Sequence, residues 1–115
     1  MPPRTSTLPD VVVATIKSGD GVHFPTKGDI VNIHYCAFLP DGTKFDSSRD
    51  RGRPLRFKVG AEAVIPGLDL AVARLTIGER AKVNIPSILA YGPKGFPGRV
   101  PIHADLVFDL ELISF

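Results

Sequence analysis

One stretch of the chain, Val64 to Leu75 (VIPGLDLAVARL), has helical periodicity while nearly every other apolar run alternates like a strand. That contrast restricts the fold most. Leu68, Ala71, Val72 and Leu75 recur at the i, i+3, i+4, i+7 spacing of one helical face. Pro66 suits a first helical turn, where its fixed φ and missing N–H cost nothing, and Gly78 follows the last periodic residue. The spacing therefore predicts one short helix. A lone amphipathic helix among strands must lay its apolar stripe on their sheet, since neither surface tolerates water. The backbone N–H groups near Val64 and Ile65, at the helix entrance, are then expected to face whatever cavity the sheet leaves open.

At 115 residues the chain is long enough for one domain with a real core and too short for two ordinary ones. Residues 10–115 are read as that domain, behind a flexible tail over 1–9 that holds three prolines and little apolar content. Fourteen Lys and Arg against twelve Asp and Glu leave a formal charge of +2, with the basic residues scattered among acids. This points away from nucleic acid and from anionic membrane. No apolar run approaches the ~20 residues of a membrane span, and no apolar segment follows Arg4 as in a secretory signal. A cytoplasmic location is expected by default, with the nucleus as a secondary compartment. A single cysteine cannot form an internal disulfide.

Along the chain, Asp10 to Lys17 is rich in β-branched residues and ends in the turn cluster Ser18-Gly19-Asp20-Gly21, predicting a first strand. Ile30 to Leu39 alternates, with Val31, Ile33, Tyr35 and Ala37 inward and Asn32, His34 and Cys36 outward. Pro40-Asp41-Gly42 reads as a hairpin turn that returns Thr43 to Asp46 antiparallel. Ser47 to Pro54 is polar and turn-rich, predicting a surface excursion. Leu55, Phe57 and Val59 then face inward, as do Ala81, Val83 and Ile85 after the helix, and Leu106, Phe108, Leu110 and Leu112 at the end. Pro86 to Ala104, with its prolines and glycines, predicts a long, partly rigid and functional loop. The expected class is α+β: about five antiparallel strands wrapped around one short helix.

Catalytic constellations are missing from the sequence: no Gly-rich phosphate loop, no His/Cys cluster at metal spacing and no G-x-S-x-G elbow. Neither metal nor cofactor is expected. Cys36 sits mid-strand without an activating neighbour and reads as structural, and His23, His34 and His103 read as solvated or locally bonded. What remains is a set of inward aromatics, Tyr35, Phe45, Phe57, Tyr91 and Phe108, placed to converge near the helix entrance. Beside them Asp46 ends a returning strand next to an aromatic, an expensive place for a carboxylate unless Arg51 or the Tyr35 hydroxyl satisfies it.

These residues resemble the FKBP family of peptidyl-prolyl cis/trans isomerases. The resemblance rests on Tyr35, the run Phe45-Asp46-Ser47-Ser48-Arg49-Asp50-Arg51, Val64-Ile65-Pro66-Gly67, Gly78-Glu79-Arg80-Ala81, Ala90-Tyr91-Gly92, Phe96-Pro97-Gly98 and Leu106 to Leu112, in the family's order and spacing. It implies an apolar pocket that accepts proline, walled by Tyr35, Phe45, Phe57, Val64, Ile65 and Phe108, with Asp46 and Tyr91 as polar contacts and Arg51 and Tyr35 holding Asp46. It further implies that the Ile65 N–H donates to a ligand carbonyl, and that Leu55, Phe96 and Val100 contribute to ligand binding. Leu68 stands where the family usually has a tryptophan as the pocket floor, Leu55 where phenylalanine is frequent, Phe96 where histidine is common, and Ile102 in place of a second proline.

The implied activity needs no nucleophile. X–Pro rotation faces an amide-resonance barrier of about 20 kcal/mol, which a dry pocket with donors fitted to the twisted form lowers without covalent chemistry. The implied partners are X–Pro peptides and protein clients, the macrolides tacrolimus and rapamycin, and a phosphatase or kinase recruited by a drug complex; the chain is expected to be a monomer. The alternative is a module with the same pocket and little catalysis, docking to proline-bearing partners. A basic β module that binds RNA is a third reading, which retention on a polyanion column would test.

Overall fold

The computed structural model describes residues 9–115, so the tail expected over 1–9 lies, Pro9 apart, outside the described residues. Strands β1 (Val12–Lys17), β2 (Ile30–Phe38), β3 (Lys44–Ser47), β4 (Leu55–Lys58), β5 (Arg80–Ile85) and β6 (Leu106–Ser114) form one antiparallel sheet in the order β1-β5-β6-β2-β3, with β4 also on β2. A single α-helix, α1 (Pro66–Val72), lies among the described residues. The fold is α+β, as the alternation implies. β2 is the spine: on it Val31, Ile33, Tyr35 and Ala37 are buried, while Asn32, His34 and Cys36 are half-buried on the other face.

The edge beside β2 is one strand in two pieces. Cys36 faces Ser47 on β3 and Ile33 faces Leu55 on β4. Eight residues on the edge side thus answer three on β2, leaving five to leave the ladder and return. This corrects the reading of Ser47 to Pro54 as surface. Ser47 and Ser48 are buried, at 5% and 0% exposure, and only the segment after them projects outward. The hairpin between β2 and β3 matches its sequence signal: the Leu39 N–H donates to the Thr43 carbonyl at 2.8 Å, and Gly42 takes a positive φ of 92°.

α1 has Pro66 in its first turn and buries Gly67, Leu68, Ala71 and Val72. It ends earlier than its periodicity predicts. Ala73 caps it, and the Arg74 and Leu75 N–H groups bond back only three residues, to Ala71 and Val72, so the chain tightens into a turn before Leu75. Leu75 is nevertheless fully buried, which explains why it kept the helical pattern. Gly78 does not stop the helix; with φ of 87° it turns the chain into β5, its N–H donating to the Leu112 carbonyl. Gly67 permits the close seating of α1 on the sheet, because a Cβ there would meet Ile85 Cγ2 at 2.3 Å. The resulting core joins Leu68, Ala71, Val72 and Leu75 to Val31, Ile33, Val83, Ile85, Leu106, Leu110 and Leu112.

Candidate active site

Between the entrance to α1 and the Tyr35 end of β2, the sheet and helix leave a cavity of about 190 Å³ lined by Tyr35, Phe45, Asp46, Leu55, Ala63, Val64, Ile65, Leu68, Tyr91 and Phe108. The strands and the helix supply their parts by their own periodicity. Tyr35 and Phe108 are cross-strand neighbours on the inward face of β2 and β6, their rings 5.8 Å apart at a tilt of 36°. Leu68, 3% exposed, rises from the first turn of α1 as the base of the cavity. Val64 and Ile65 come from the chain entering the helix. The Ile65 carbonyl accepts the Leu68 and Asp69 N–H groups, and among the described residues no acceptor is paired with the Ile65 N–H itself. Wider depressions of about 320, 470 and 590 Å³ contain no aromatic residue, and one of about 280 Å³ has Phe38 and Phe108 but no residue of the helix or its entrance.

Asp46 is the cavity's one carboxylate. The Tyr35 hydroxyl donates to its Oδ2 at 2.7 Å, Arg51 Nη1 donates to Oδ1, and the Ser47 N–H donates to Oδ1 at 2.9 Å. Arg51 Nη2 also donates to the Tyr35 hydroxyl at 2.8 Å, closing a triangle, and its guanidinium lies 5.7 Å from the Tyr35 ring centre. Burial works to raise the Asp46 pKa, but the bonds from Tyr35, Arg51 and Ser47 outweigh it and hold the carboxyl below its ordinary value. Burial, reinforced by Asp46, pushes the Tyr35 phenol above its ordinary value, and the bonds to Tyr35 and Asp46 raise Arg51. The group is thus a fixed carboxylate, a neutral phenol and a cation at neutral pH.

Tyr91 forms the opposite rim. Its half-buried phenol is raised first by burial and then by the charge of Asp46, and among the described residues its hydroxyl has no hydrogen-bond partner. It is held by the loop between β5 and β6, which contains two 3-10 turns, Ser87–Leu89 and Gly92–Lys94. The Gly95 N–H bonds to the Tyr91 carbonyl, and Gly95 at φ +62° lies where a Cβ would strike the Val100 carbonyl at 2.4 Å. Phe96 stacks on Tyr91, centroids 5.5 Å apart, and Arg99 reaches over to the Phe45 carbonyl.

Of the residues singled out in the sequence, Tyr35, Phe45, Asp46, Leu55, Val64, Ile65, Leu68, Tyr91 and Phe108 line the cavity together. Four do not. Arg51 reaches it through Asp46 and Tyr35, and Phe96 supports Tyr91 from behind. Phe57 is a correction in placement: it faces Val31, while Leu55 faces Ile33 nearer Tyr35, so β4 carries Phe57 away from the opening into the core. Val100 is likewise buried at 4% exposure, bridged to Phe96 and facing a separate depression with Leu39 and Arg99. Ala63 is the lining residue that sequence reasoning passed over; a small side chain in an aperiodic loop gives no signal, and only its adjacency to Val64 and Ile65 could have suggested it.

Comparison with known proteins adds an independent line. Residues 21–113 match the family model described as FKBP-type peptidyl-prolyl cis-trans isomerase. The chain is 48% identical over 105 residues to the FK506-binding protein 1 of Kluyveromyces lactis and to that of Saccharomyces cerevisiae, in each case covering 91% of this chain and 92% of the relative. It is 49% identical over 102 residues to the FK506-binding protein 1 of Debaryomyces hansenii, covering 89% of this chain and 91% of the relative.

Proposed function

The chain belongs to the FKBP-type peptidyl-prolyl cis-trans isomerase family, and on that premise we propose that the cavity beneath Tyr91 receives the prolyl ring of an X–Pro peptide and promotes rotation about its amide. One observation carries this assignment to the cavity: aromatic and aliphatic walls surround a single, fully bonded carboxylate and an unpaired backbone donor at Ile65, with no nucleophile beside them. Such a site holds an amide and excludes water; it does not make or break bonds.

The ring rests on Leu68 between Tyr35, Phe108 and Tyr91, and the Ile65 N–H fixes a peptide carbonyl. Amide resonance is strongest where water solvates the charge-separated planar form. Moving the bond into a dry cavity removes that solvation, and placed donors favour the twisted form. A ~10⁵-fold acceleration corresponds to roughly 7 kcal/mol, within reach of desolvation and a few oriented hydrogen bonds. Asp46 orients the ligand and transfers no proton, since the hydrogen bonds it accepts from Tyr35, Arg51 and Ser47 hold it ionised.

The same cavity is assigned the macrolides tacrolimus (FK506) and rapamycin as inhibitors; that the similar yeast proteins are FK506-binding proteins supports the first of these as a ligand. The loop around Tyr91 and Phe96 would form part of the surface a drug complex presents to a phosphatase or kinase. Residues 10–115 are assigned to one isomerase domain acting as a cytoplasmic monomer on protein clients. No helix among the described residues is long and apolar enough to cross a membrane.

Leu68 favours a second reading, a proline-binding module of low turnover, because an aliphatic floor offers a ring less contact than an indole. A proline-isomerisation assay on a tetrapeptide separates the two. Isomerase function gives acceleration at sub-stoichiometric protein; the docking module gives saturable peptide binding with the rate at background.

A further inference from the structure

We propose that Ser48 is a positioning residue of this site: it fills the gap in the split edge strand opposite Tyr35 and thereby fixes the phenol that orients Asp46. This rests on the isomerase reading above for its functional consequence, though its structural basis is independent of it.

Cys36 pairs with Ser47 and Ala37 with Asp46, so Ser48 is the next residue in register opposite Tyr35. In an antiparallel ladder every second opposed pair exchanges two N–H···O=C bonds, and the Ser48 N–H on the Tyr35 carbonyl marks this pair as one of them. Here the chain departs at Ser48, and the exchange is made half by backbone and half by side chain. The Ser48 N–H donates to the Tyr35 carbonyl at 3.0 Å, and the Tyr35 N–H donates to Ser48 Oγ at 2.8 Å. The hydroxyl stands in for the carbonyl that the excursion has carried away. Its single proton has two acceptors in reach, His34 Nδ1 at 2.9 Å and the Tyr35 carbonyl at 3.3 Å, and either choice leaves Oγ free to accept from Tyr35.

A closed circuit results. The Tyr35 backbone is tied to Ser48, the chain runs back through Ser47 to Asp46, and Asp46 accepts the Tyr35 hydroxyl. Ser48 is fully buried, so without its hydroxyl the Tyr35 N–H has no water to turn to, and β2 must shift at the residue whose far end sets the carboxylate.

Two tyrosines and no tryptophan make the test clean. With Tyr91→Phe as background, ultraviolet titration reports the Tyr35 phenol alone. Adding Ser48→Ala is expected to bring its ionisation back toward the ordinary tyrosine value. In the otherwise native chain, Ser48→Ala is expected to lower kcat/KM about fivefold, the equivalent of one neutral hydrogen bond. Combined with Tyr35→Phe it should cost less than the two losses multiplied, because both act through one phenol. Ser48→Cys, which keeps the volume and a weak acceptor, gives the same readouts if the alanine variant does not fold. An unchanged Tyr35 titration, or losses that multiply independently, overturns the proposal even if the enzyme is active. A native chain with no isomerase activity overturns the functional reading instead, and the titration still decides the role of Ser48.

Discussion

Setting a carboxylate among Tyr35, Phe45 and Phe108 costs desolvation, and Asp46 offsets it with three donors, from Tyr35, Arg51 and Ser47. Its lowered pKa fixes the sign of a pH effect. A carboxyl depressed in the folded state contributes stability above its unfolded pKa, near 4, and loses that contribution as pH falls through the lower folded value. Asp20, held at about 2 by bonds from the His23 and Val22 N–H groups and the His23 ring, changes in the same window, so the native chain alone cannot isolate Asp46. Asp46→Asn can: denaturant unfolding should show it less stable than the native chain at pH 7, with the difference shrinking toward pH 3. A difference independent of pH contradicts the bonded-carboxylate description. Across the cavity the Tyr91 hydroxyl is a donor without a partner among the described residues. Tyr91→Phe should therefore weaken macrolide binding by about 1 kcal/mol, read by calorimetry, and leave thermal stability nearly unchanged; unaltered affinity would place the hydroxyl outside the ligand.

The helix and the edge strand show which parts of the architecture a sequence can disclose. Leu68 kept helical spacing with Ala71 and Val72 and is buried at the cavity floor, so Leu68→Trp has space above it only by entering the cavity. We expect the indole to give a bound ring a flat surface and to raise both turnover and macrolide affinity. A folded variant unchanged in both would show that this residue is not the floor. Gly67→Ala tests the seating of the same helix: its Cβ meets a branched methyl of Ile85, and overpacking of that kind costs about 1–3 kcal/mol in denaturant unfolding. Alternation made the inward faces of β2, β5 and β6 legible, and with them Tyr35 and Phe108. It put Leu55 and Phe57 on one face without saying how far β4 runs from Tyr35, because that distance depends on register with β2. Ser47 and Ser48 look like loop residues since their burial comes from replacing a strand, a tertiary circumstance that leaves no period. The end of α1 was hidden for the opposite reason: Leu75 is buried from a turn and mimics a helical position.

Across the whole molecule, one antiparallel sheet closes over one short helix, and the aromatic cavity lies where the split edge and the loop between β5 and β6 meet at the helix entrance. Occupation of that cavity should be felt by the entire fold, because its walls belong to β2, β3, β4, β6 and α1. Rapamycin or tacrolimus is expected to raise the unfolding temperature in a concentration-dependent manner, and absence of any shift at saturating drug would count against the cavity as the ligand site. The central claim is that this site isomerises X–Pro bonds by desolvation and placement, with no proton transfer. Its most direct test is kcat/KM for a tetrapeptide substrate at sub-stoichiometric protein, measured from pH 5.5 to 8.5 for the native chain and Asp46→Ala. A flat profile is expected for the native chain and a lower but equally flat profile for the variant; a background rate throughout, or a profile that follows a carboxyl group and vanishes with Asp46, would overturn the mechanism.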